Sequence, residues 1–262
     1  ETDALARQIF LTCGYCAPNT AIPNSLLEKA TGIDSTSQKQ KLDLALRRLS
    51  RLGLLTPTES GPSLHPLLSE FARYLDLEGA ALPSLVESLS VLSYDAHKTG
   101  LPERLMPLRE HLKSVAKVAE NAELEMAGSL WNNLGCHLKE VAEYKNAEEA
   151  HRRALEFNEK VYGPDHPQVA ISVNNLGGVL DDLGDLASAK KSYERALEID
   201  EKVYGPDNLN VARDLNNLGG VLNGLGDLDG AKKSYERALE IGEKALGPDH
   251  PDVAIFVNNL GG

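Results

Sequence analysis

The sequence is poor in aromatic residues, in cysteine and in long apolar runs. Aromatic side chains make up 5% of the 262 residues, and the three cysteines are too few for a disulfide framework, which favours a reducing, cytoplasmic compartment. No apolar run approaches the roughly 20 residues that span a bilayer, and no signal peptide opens the chain. We therefore expect no association with a membrane.

Catalytic and metal-binding motifs are also missing. The sequence contains no His-Glu-x-x-His, no Gly-x-Ser-x-Gly and no paired metal-ligand spacing. Cys13 and Cys16 have the C-x-x-C spacing, but no second pair follows and no histidines stand nearby, so we interpret them as small residues at the end of a helix. The sequence therefore predicts no catalytic residue, no metal and no cofactor in this fragment, which we expect not to be an enzyme.

Positive charge is scarce in the second half of the chain. Residues 1–78 hold 8 basic and 9 acidic side chains, whereas the remainder holds 19 and 30, within a net charge of −12. So acidic a segment repels nucleic acid and anionic membranes and favours neutral or basic partners.

An internal repeat of 42 residues fills this acidic half. Asn-Asn-Leu-Gly recurs at that step, and Ala-Leu-Glu and Gly-Pro-Asp keep the same step; the four copies of Asn-Asn-Leu-Gly lie at 132–135, 174–177, 216–219 and 258–261. Three landmarks with one period indicate a repeat architecture. The chain begins at Glu1 without Met and stops inside a repeat, so we expect it to be a piece of a longer polypeptide.

Each repeat reads as two helices. In the second copy, apolar residues at steps of three and four predict a first helix over about Val169–Leu183. Gly184 and Asp185 are typical of a helix end and of the cap of the next helix. We place Gly177 where the two helices cross and Tyr193 beside that crossing, and one hairpin must stack on the next to bury its apolar face.

These residues resemble the tetratricopeptide repeat. The residues that follow the family's order and spacing are Trp131, Leu134, Gly135, Leu138, Ala147, His151 and Ala154, then Leu176, Gly177, Leu180, Ala189, Tyr193 and Ala196, then Leu218, Gly219, Leu222, Ala231, Tyr235 and Ala238. The 42-residue length is similar to the kinesin-light-chain-like subfamily. The resemblance implies an α-solenoid over 126–262, with three full repeats and the start of a fourth.

In that family the first helices line a concave groove that binds a protein or peptide. The resemblance places one asparagine per repeat there, and an amide can pair with any peptide backbone; the predicted groove residues are Asn133, Asn175, Asn217, Asn259, Lys139, Asp182, Arg213 and Asn223. The preceding asparagines, such as Asn174, point about 100° away, so we expect the two series to have different roles. Alternatively, one series bridges neighbouring helices.

Residues 1–78 carry no repeat and predict a winged-helix domain. Three helices, a hairpin with its tip at 57–62 and a last helix follow one another; the predicted helices are Leu5–Cys13, Ser25–Thr31, Lys39–Leu52 and Pro66–Leu75. The third helix is rich in Lys and Arg, which permits DNA binding, but Asp43 interrupts the cluster and the hairpin has no basic residue. We therefore regard nucleic acid as an unlikely partner.

The whole order is similar to the C-terminal part of the NB-ARC-type signalling NTPases of the STAND class. That resemblance rests on Leu64-His65-Pro66-Leu67-Leu68, a helical linker over 79–125 that we interpret as a degenerate capping hairpin, and the repeats. It implies that His65 contacts the phosphates of ADP, with ADP or ATP held by an upstream NTPase domain in cis. A plain histidine at the start of a helix is the alternative.

The sequence thus predicts a mainly α protein that senses and relays a signal. The repeats would bind a protein or peptide, and the winged helix would pass the event to the upstream nucleotide-binding domain in signal transduction. A transcriptional regulator with a DNA-binding winged helix and a plain repeat adaptor are the alternatives.

Overall fold

The structure, a computed structural model, describes residues 2–261, and within them the chain is almost entirely helical. The described residues form thirteen α-helices and one two-stranded antiparallel sheet. They divide into two compact units, Glu1–Val141 and Ala142–Gly262. None of the described helices combines the length and the hydropathy needed to cross a membrane.

The first unit opens with three helices, a hairpin and a fourth helix, in the order that the sequence predicts. The elements are α1 (Thr2–Tyr15), α2 (Asn24–Ala30), α3 (Thr36–Arg51), β1 (Thr56–Thr58), β2 (Gly61–Ser63) and α4 (Pro66–Leu75). Helix α3 begins with a capping box, in which the Ser35 hydroxyl accepts from the backbone of Gln38 and the Gln38 side chain accepts from the backbone of Ser35.

The hairpin is tighter than its sequence suggests. The strands occupy part of the predicted tip, because Thr56 pairs with Ser63 and Thr58 with Gly61. Gly61 has a φ of +135°, and a Cβ there would meet the carbonyl oxygen of Ile22 at 2.0 Å. Only glycine therefore allows β2 to pass so close to the loop before α2.

Helix α1 lies at the centre of the first unit and packs against α3, α4 and α5. Its buried face includes Ile9 and Cys13, both fully buried. Helix α4 approaches so closely that a Cβ on Gly14 would meet Cβ of Ala72 at 2.7 Å. The small residue at position 14 thus sets the distance between α1 and α4.

Three further helices complete the first unit. They are α5 (Ala81–Lys98), α6 (Arg109–Asn121) and α7 (Ala127–Glu140), with 3₁₀ turns at Pro102–Arg104 and Met106–Leu108. Within α5, Leu85 and Leu89 are fully buried. Helix α5 packs on α6, α7 and α2, so the predicted capping hairpin is continuous with the core of this unit.

His111 of α6 ties that helix to the segment between α1 and α2. Its fully buried ring accepts a hydrogen bond at Nδ1 from the amide of Ala17 at 3.1 Å, and Nε2 lies 2.8 Å from the carbonyl of Ala21. Because Nδ1 accepts, Nε2 must carry the proton and donate to Ala21. The ring is therefore held as one neutral tautomer, and burial lowers its pKa.

The second unit consists of long antiparallel helices with the predicted 42-residue period. They are α8 (Tyr144–Tyr162), α9 (Pro167–Asp182), α10 (Leu186–Tyr204), α11 (Leu209–Gly224), α12 (Leu228–Leu246) and α13 (Pro251–Gly261). Gly184 adopts a φ of +79°, and Asp185 caps α10 by accepting from the amide of Ser188 at 3.1 Å. Both roles were predicted from the sequence. In the next repeat, Asp227 caps α12 in the same way.

In two successive repeats, a tyrosine of the second helix fills the space above a glycine of the first helix. Tyr193 lies 3.0 Å from the point where a Cβ on Gly177 would stand, and Tyr235 lies 2.7 Å from the equivalent point on Gly219. Both tyrosines belong to one apolar cluster with Leu176, Leu180, Leu218 and Leu222. This packing confirms the predicted placement of the small residue at the helix crossing.

Replacing Gly219 by alanine should therefore destabilise the second unit. The added Cβ displaces the buried ring of Tyr235, which costs about 1–3 kcal/mol and outweighs the roughly 1 kcal/mol gained in helix propensity. Gly220→Ala is the matched control, because its Cβ would stand 3.6 Å from the Tyr235 hydroxyl, an ordinary contact. Urea unfolding followed by circular dichroism should show opposite signs for the two variants, and equal effects would refute the packing argument.

Candidate ligand-binding groove

The first helices of the repeats are joined by hydrogen bonds between asparagine side chains. The amide nitrogen of Asn217 in α11 donates to Oδ1 of Asn174 in α9 at 3.2 Å, and that of Asn259 in α13 donates to Oδ1 of Asn216 in α11 at 2.8 Å. Each bond thus joins the second asparagine of one repeat to the first asparagine of the preceding repeat. The alternative, that asparagines bridge neighbouring helices, holds for these pairs, because the stagger between adjacent helices brings them together. Separate roles for the two series stay a prediction.

We call one surface of α9, α11 and α13 the asparagine face. It carries the second asparagine of the Asn-Asn-Leu-Gly motif in three repeats, namely Asn175, Asn217 and Asn259. Asn217 and Asn259 use their amide nitrogen between repeats, and their Oδ1 atoms accept no hydrogen bond from the described residues. Asn175 is half-buried and makes no side-chain hydrogen bond within residues 2–261. The asparagine face therefore keeps hydrogen-bonding capacity for a ligand.

Beside Asn175 a cavity of about 240 Å³ opens between α9, α10 and α11. Its wall combines apolar and polar side chains; the lining residues that matter below are Ala170, Ile171, Asn174, Tyr204, Arg213 and Asp214. Ile171 and Tyr204 are both more than two-fifths exposed although they are large and apolar. Such a combination is typical of a small binding pocket.

Two buried aspartates lie at this cavity, Asp200 on α10 and Asp214 on α11. Asp214 accepts a hydrogen bond from the side-chain amide of Asn174 at Oδ1, while its Oδ2 has no donor. Burial raises the pKa of Asp214 to about 7, the neighbouring Asp200 adds to the rise, and Asn174 and Arg213 oppose it. Burial also raises the pKa of Asp200. Both carboxyl groups thus favour the protonated form more than an exposed aspartate does.

The other predicted groove residues are distributed over both units. Arg213 is exposed at the cavity and donates to Oδ1 of Asn210 three residues earlier. Asp182 and Asn223 are exposed near the ends of α9 and α11. Asn133 and Lys139 belong to α7 in the first unit, where Asn133 donates to the hydroxyl of Ser93 at 2.8 Å. The structure therefore gathers only Asn175 and Arg213 of the predicted set at the cavity.

His65 caps helix α4 with its side chain. Nδ1 accepts from the amide of Leu67 at 3.3 Å, and Pro66 occupies the first turn of the helix. The same His-Pro cap begins α9 at His166 and α13 at His250, where the ring accepts from an amide two residues later at 3.2 Å. Capping thus accounts for the position of His65. A contact between His65 and ADP stays a prediction.

The thiols of the C-x-x-C segment are unsuited to redox or metal chemistry in this structure. Cys13 and Cys16 are fully buried, and burial raises the pKa of Cys13 to about 12 and that of Cys16 well above the ordinary thiol value. A thiolate is the reactive and metal-binding form, so both side chains act as small core residues. Within residues 2–261 no three His, Cys, Asp or Glu side chains gather as metal ligands.

Sequence reasoning missed the two aspartates and Asn174. The signal for the aspartates is present in the repeat alignment, since residues 200 and 214 correspond to Asn158 and Ser172 one repeat earlier and to Gly242 and Phe256 one repeat later. Only the middle repeat has acidic residues at both positions. What the alignment does not reveal is that the two positions face each other.

Comparison with known proteins supports the predicted tetratricopeptide repeats. The family model of the tetratricopeptide repeat matches residues 126–202, 174–244 and 211–262, which together cover more than half of the chain. The chain therefore belongs to the tetratricopeptide repeat family. Comparison with curated proteins finds no significant match.

Several solved structures share the fold at low sequence identity. BtubC (BKLC) from P. vanneervenii superposes with a TM-score of 0.58 at 22% identity, covering 87% of this chain and 83% of that one. A Podosopora anserina protein assigned to the kinesin light chains, with nearly identical TPR-like repeats, gives 0.56 at 18% identity and covers 68% and 84%. The apo form of RapI gives 0.54 at 17% identity and covers 85% and 74%. At these identities the similarity concerns the fold alone.

Proposed function

We propose that the second unit binds an extended segment of a protein partner along the asparagine face. The observation that carries this proposal is the half-buried amide of Asn175, which makes no side-chain hydrogen bond within the described residues and stands beside a cavity of about 240 Å³. An amide offers a donor and an acceptor, so it can pair with a peptide backbone whatever its sequence. Neighbouring repeats extend the same chemistry through Oδ1 of Asn217 and Asn259.

Replacing Asn175 by alanine should weaken peptide binding about tenfold, because two hydrogen bonds to the ligand backbone would be lost. The probe is a set of peptides selected from a displayed random library against the whole chain, with affinities measured by fluorescence anisotropy. Thermal stability should not change, since Asn175 bonds to no other described side chain.

Asn146→Ala, on the exposed side of α8, serves as the control and should leave affinity unchanged. Equal affinities for the wild type and Asn175→Ala would contradict a role of this asparagine in binding. Failure of the library to yield any binder would contradict the proposed function as a whole.

We further propose that residues 1–78 are a winged-helix domain and that 79–125 form a capping hairpin between it and the repeats. The order of α1–α3, the β1–β2 hairpin and α4 supports the first assignment. In this proposal the winged helix relays ligand binding to a nucleotide-binding domain upstream in the full protein. Sequencing the natural gene upstream of codon 1 tests this relay: a Walker A motif would support it, and its absence would leave a plain repeat adaptor.

The DNA-binding alternative gains no support from α3. Two of its five basic side chains pair with acidic residues elsewhere in the first unit, Lys39 with Glu28 at 2.8 Å and Arg48 with Asp3 at 2.5 Å. Arg47 pairs with Asp43, four residues earlier on the same helix, at 2.8 Å. A helix that contacts phosphates would instead present an uncompensated basic surface.

A further inference from the structure

The side chains of Asp200 and Asp214 are too deeply buried to be an ordinary solvated acidic pair. Asp214 is 2% exposed and Asp200 is 7% exposed, yet both border the cavity beside Asn175. Oδ2 of Asp214 has no donor in the described structure, whereas Oδ1 is satisfied by Asn174. An acceptor that is buried, charged and unpaired is costly unless something supplies a donor.

The fold itself does not require acidic residues at these two positions. One repeat earlier the equivalent pair is neutral, and the amide of Asn158 donates to the hydroxyl of Ser172 at 2.9 Å. One repeat later the pair is apolar, and Phe256 occupies the space beside Gly242. The same helix junction thus forms with a neutral polar pair and with an apolar pair. The carboxylates of the middle repeat are therefore surplus to the packing.

The cavity above the pair matches one long side chain with a cationic tip. Its volume of about 240 Å³ is smaller than the roughly 300–1,000 Å³ of small-molecule sites. Ala170, Ile171 and Tyr204 provide apolar walls on the way to the carboxylates. Arg213 also lines the cavity, but it is exposed and its guanidinium donates to Asn210, and within residues 2–261 no hydrogen bond or ion pair joins it to either aspartate.

We propose that this cavity is a subsite for a lysine or arginine side chain of the bound peptide, whose cationic tip pairs with Asp214 and Asp200. This inference rests on the proposed function, since it assigns the side chain that accompanies a peptide on the asparagine face. The aliphatic stem lies against Ile171 and Tyr204, and the N–H groups at its tip supply the donors that Asp214 Oδ2 lacks. The cation thereby offsets the cost of burying two carboxylates side by side.

The backbone and the side chain of such a ligand would be recognised side by side. Asn175 lines the same cavity as Asp214, so a peptide that bonds to the Asn175 amide has its side chain at the mouth of the pocket. The acidic charge of this half of the chain favours the approach of a basic peptide. One basic residue of the peptide would then fix the register in which the peptide binds along the asparagine face.

The experiment selects peptides from a random displayed library against the wild-type chain and against a double variant, Asp200→Asn with Asp214→Ser. This variant copies the Asn158–Ser172 pair of the preceding repeat, so it should fold, and circular dichroism verifies that it does. Wild-type binders should be enriched in lysine or arginine at one position, and that enrichment should vanish with the double variant. Asp214→Asn alone provides a second, nearly isosteric variant.

Selected peptides are then synthesised with lysine, arginine or methionine at the enriched position. On the wild type, methionine should weaken binding at least tenfold, and on the double variant the three peptides should bind alike. The lysine and arginine arms distinguish which cation fits better. Asp229→Asn, at an exposed aspartate of α12, is the charge-matched control and should keep the preference for a basic residue.

The outcomes separate this subsite from the proposed function. Binders without a preferred basic position, or a preference that survives in the double variant, would overturn the subsite and leave peptide binding intact. A library that yields no binder to the wild type would overturn both. A basic preference that is lost only in the Asp200 and Asp214 variants supports the subsite.

Discussion

Replacing His111 by alanine is expected to lower the free energy of unfolding of this chain by about 3–4 kcal/mol. The ring is fully buried and joins α6 to the backbone at Ala17 and Ala21. Its removal leaves a buried amide and a buried carbonyl without partners, and it also leaves a cavity. Urea unfolding followed by the fluorescence of Trp131, which lies in the same unit and is 4% exposed, measures the loss.

His97→Ala is the control for this variant. That side chain is half-exposed and pairs with Glu140 at 2.5 Å, so its removal should cost less than about 1 kcal/mol. Similar losses for the two variants would mean that the hydrogen bonds of His111 contribute little.

The same ring makes stability depend on pH. Because burial lowers the pKa of His111 in the folded chain, the folded state favours the neutral ring. This contribution is fully present above the ordinary histidine pKa of about 6.5 and is lost as the pH falls below that value. Protonation of Nδ1 would also remove the acceptor for the Ala17 amide. The variant His111→Ala should therefore lose less stability than the wild type between pH 7 and pH 5.

Replacing Asp214 by asparagine, unlike the loss of His111, should stabilise the chain. We expect a gain of roughly 2–3 kcal/mol at pH 8 and little gain at pH 5. Burial and Asp200 raise the pKa of Asp214 to about 7, so the folded chain holds a proton that the unfolded chain releases at a lower pH. That stabilising proton is fully bound below the ordinary carboxyl pKa of about 3.8 and is lost as the pH rises through about 7. Asparagine keeps the acceptor for Asn174 and can donate to Asp200 at every pH.

The test compares the free energies of urea unfolding of the wild type and of Asp214→Asn at both pH values. Groups remote from residue 214 that titrate in both proteins, His111 among them, cancel in the difference. The exposed Asp229→Asn should show no such difference. A difference between wild type and Asp214→Asn that stays the same from pH 5 to pH 8 would contradict the raised pKa of the buried Asp214.

The two-helix pattern of the repeats could be predicted, and the bounds of α9 to within two residues, because the repeats carry local signals. Gly184 and Asp185 mark the end of α9 and the cap of α10, and the structure places both as predicted. The glycine at the helix crossing could be predicted for a similar reason, since a small residue opposite a tyrosine in two successive repeats leaves few other arrangements. These signals lie within one repeat and need no knowledge of how repeats stack.

Features that depend on how helices stack could not be predicted. The bond between Asn217 and Asn174 joins side chains 43 residues apart in sequence, and it depends on the stagger of α9 and α11. The burial of Asp214 likewise depends on α10 covering it, and an aspartate on a helix is ordinarily exposed. His111 offered no sequence signal, because its partners are backbone groups about 90 residues away.

The central claim, that the second unit binds a peptide along the asparagine face, is tested most directly by amide hydrogen exchange of the whole chain with and without a library-selected peptide. Ligand binding slows the local openings that expose bound segments. Exchange should slow most in α9 and α11, which carry Asn175, Asn217 and Asp214, and the exposed outer turns of α8 and α12 should change little. Protection confined to residues 2–141, or centred on α8 and α12, would contradict the account.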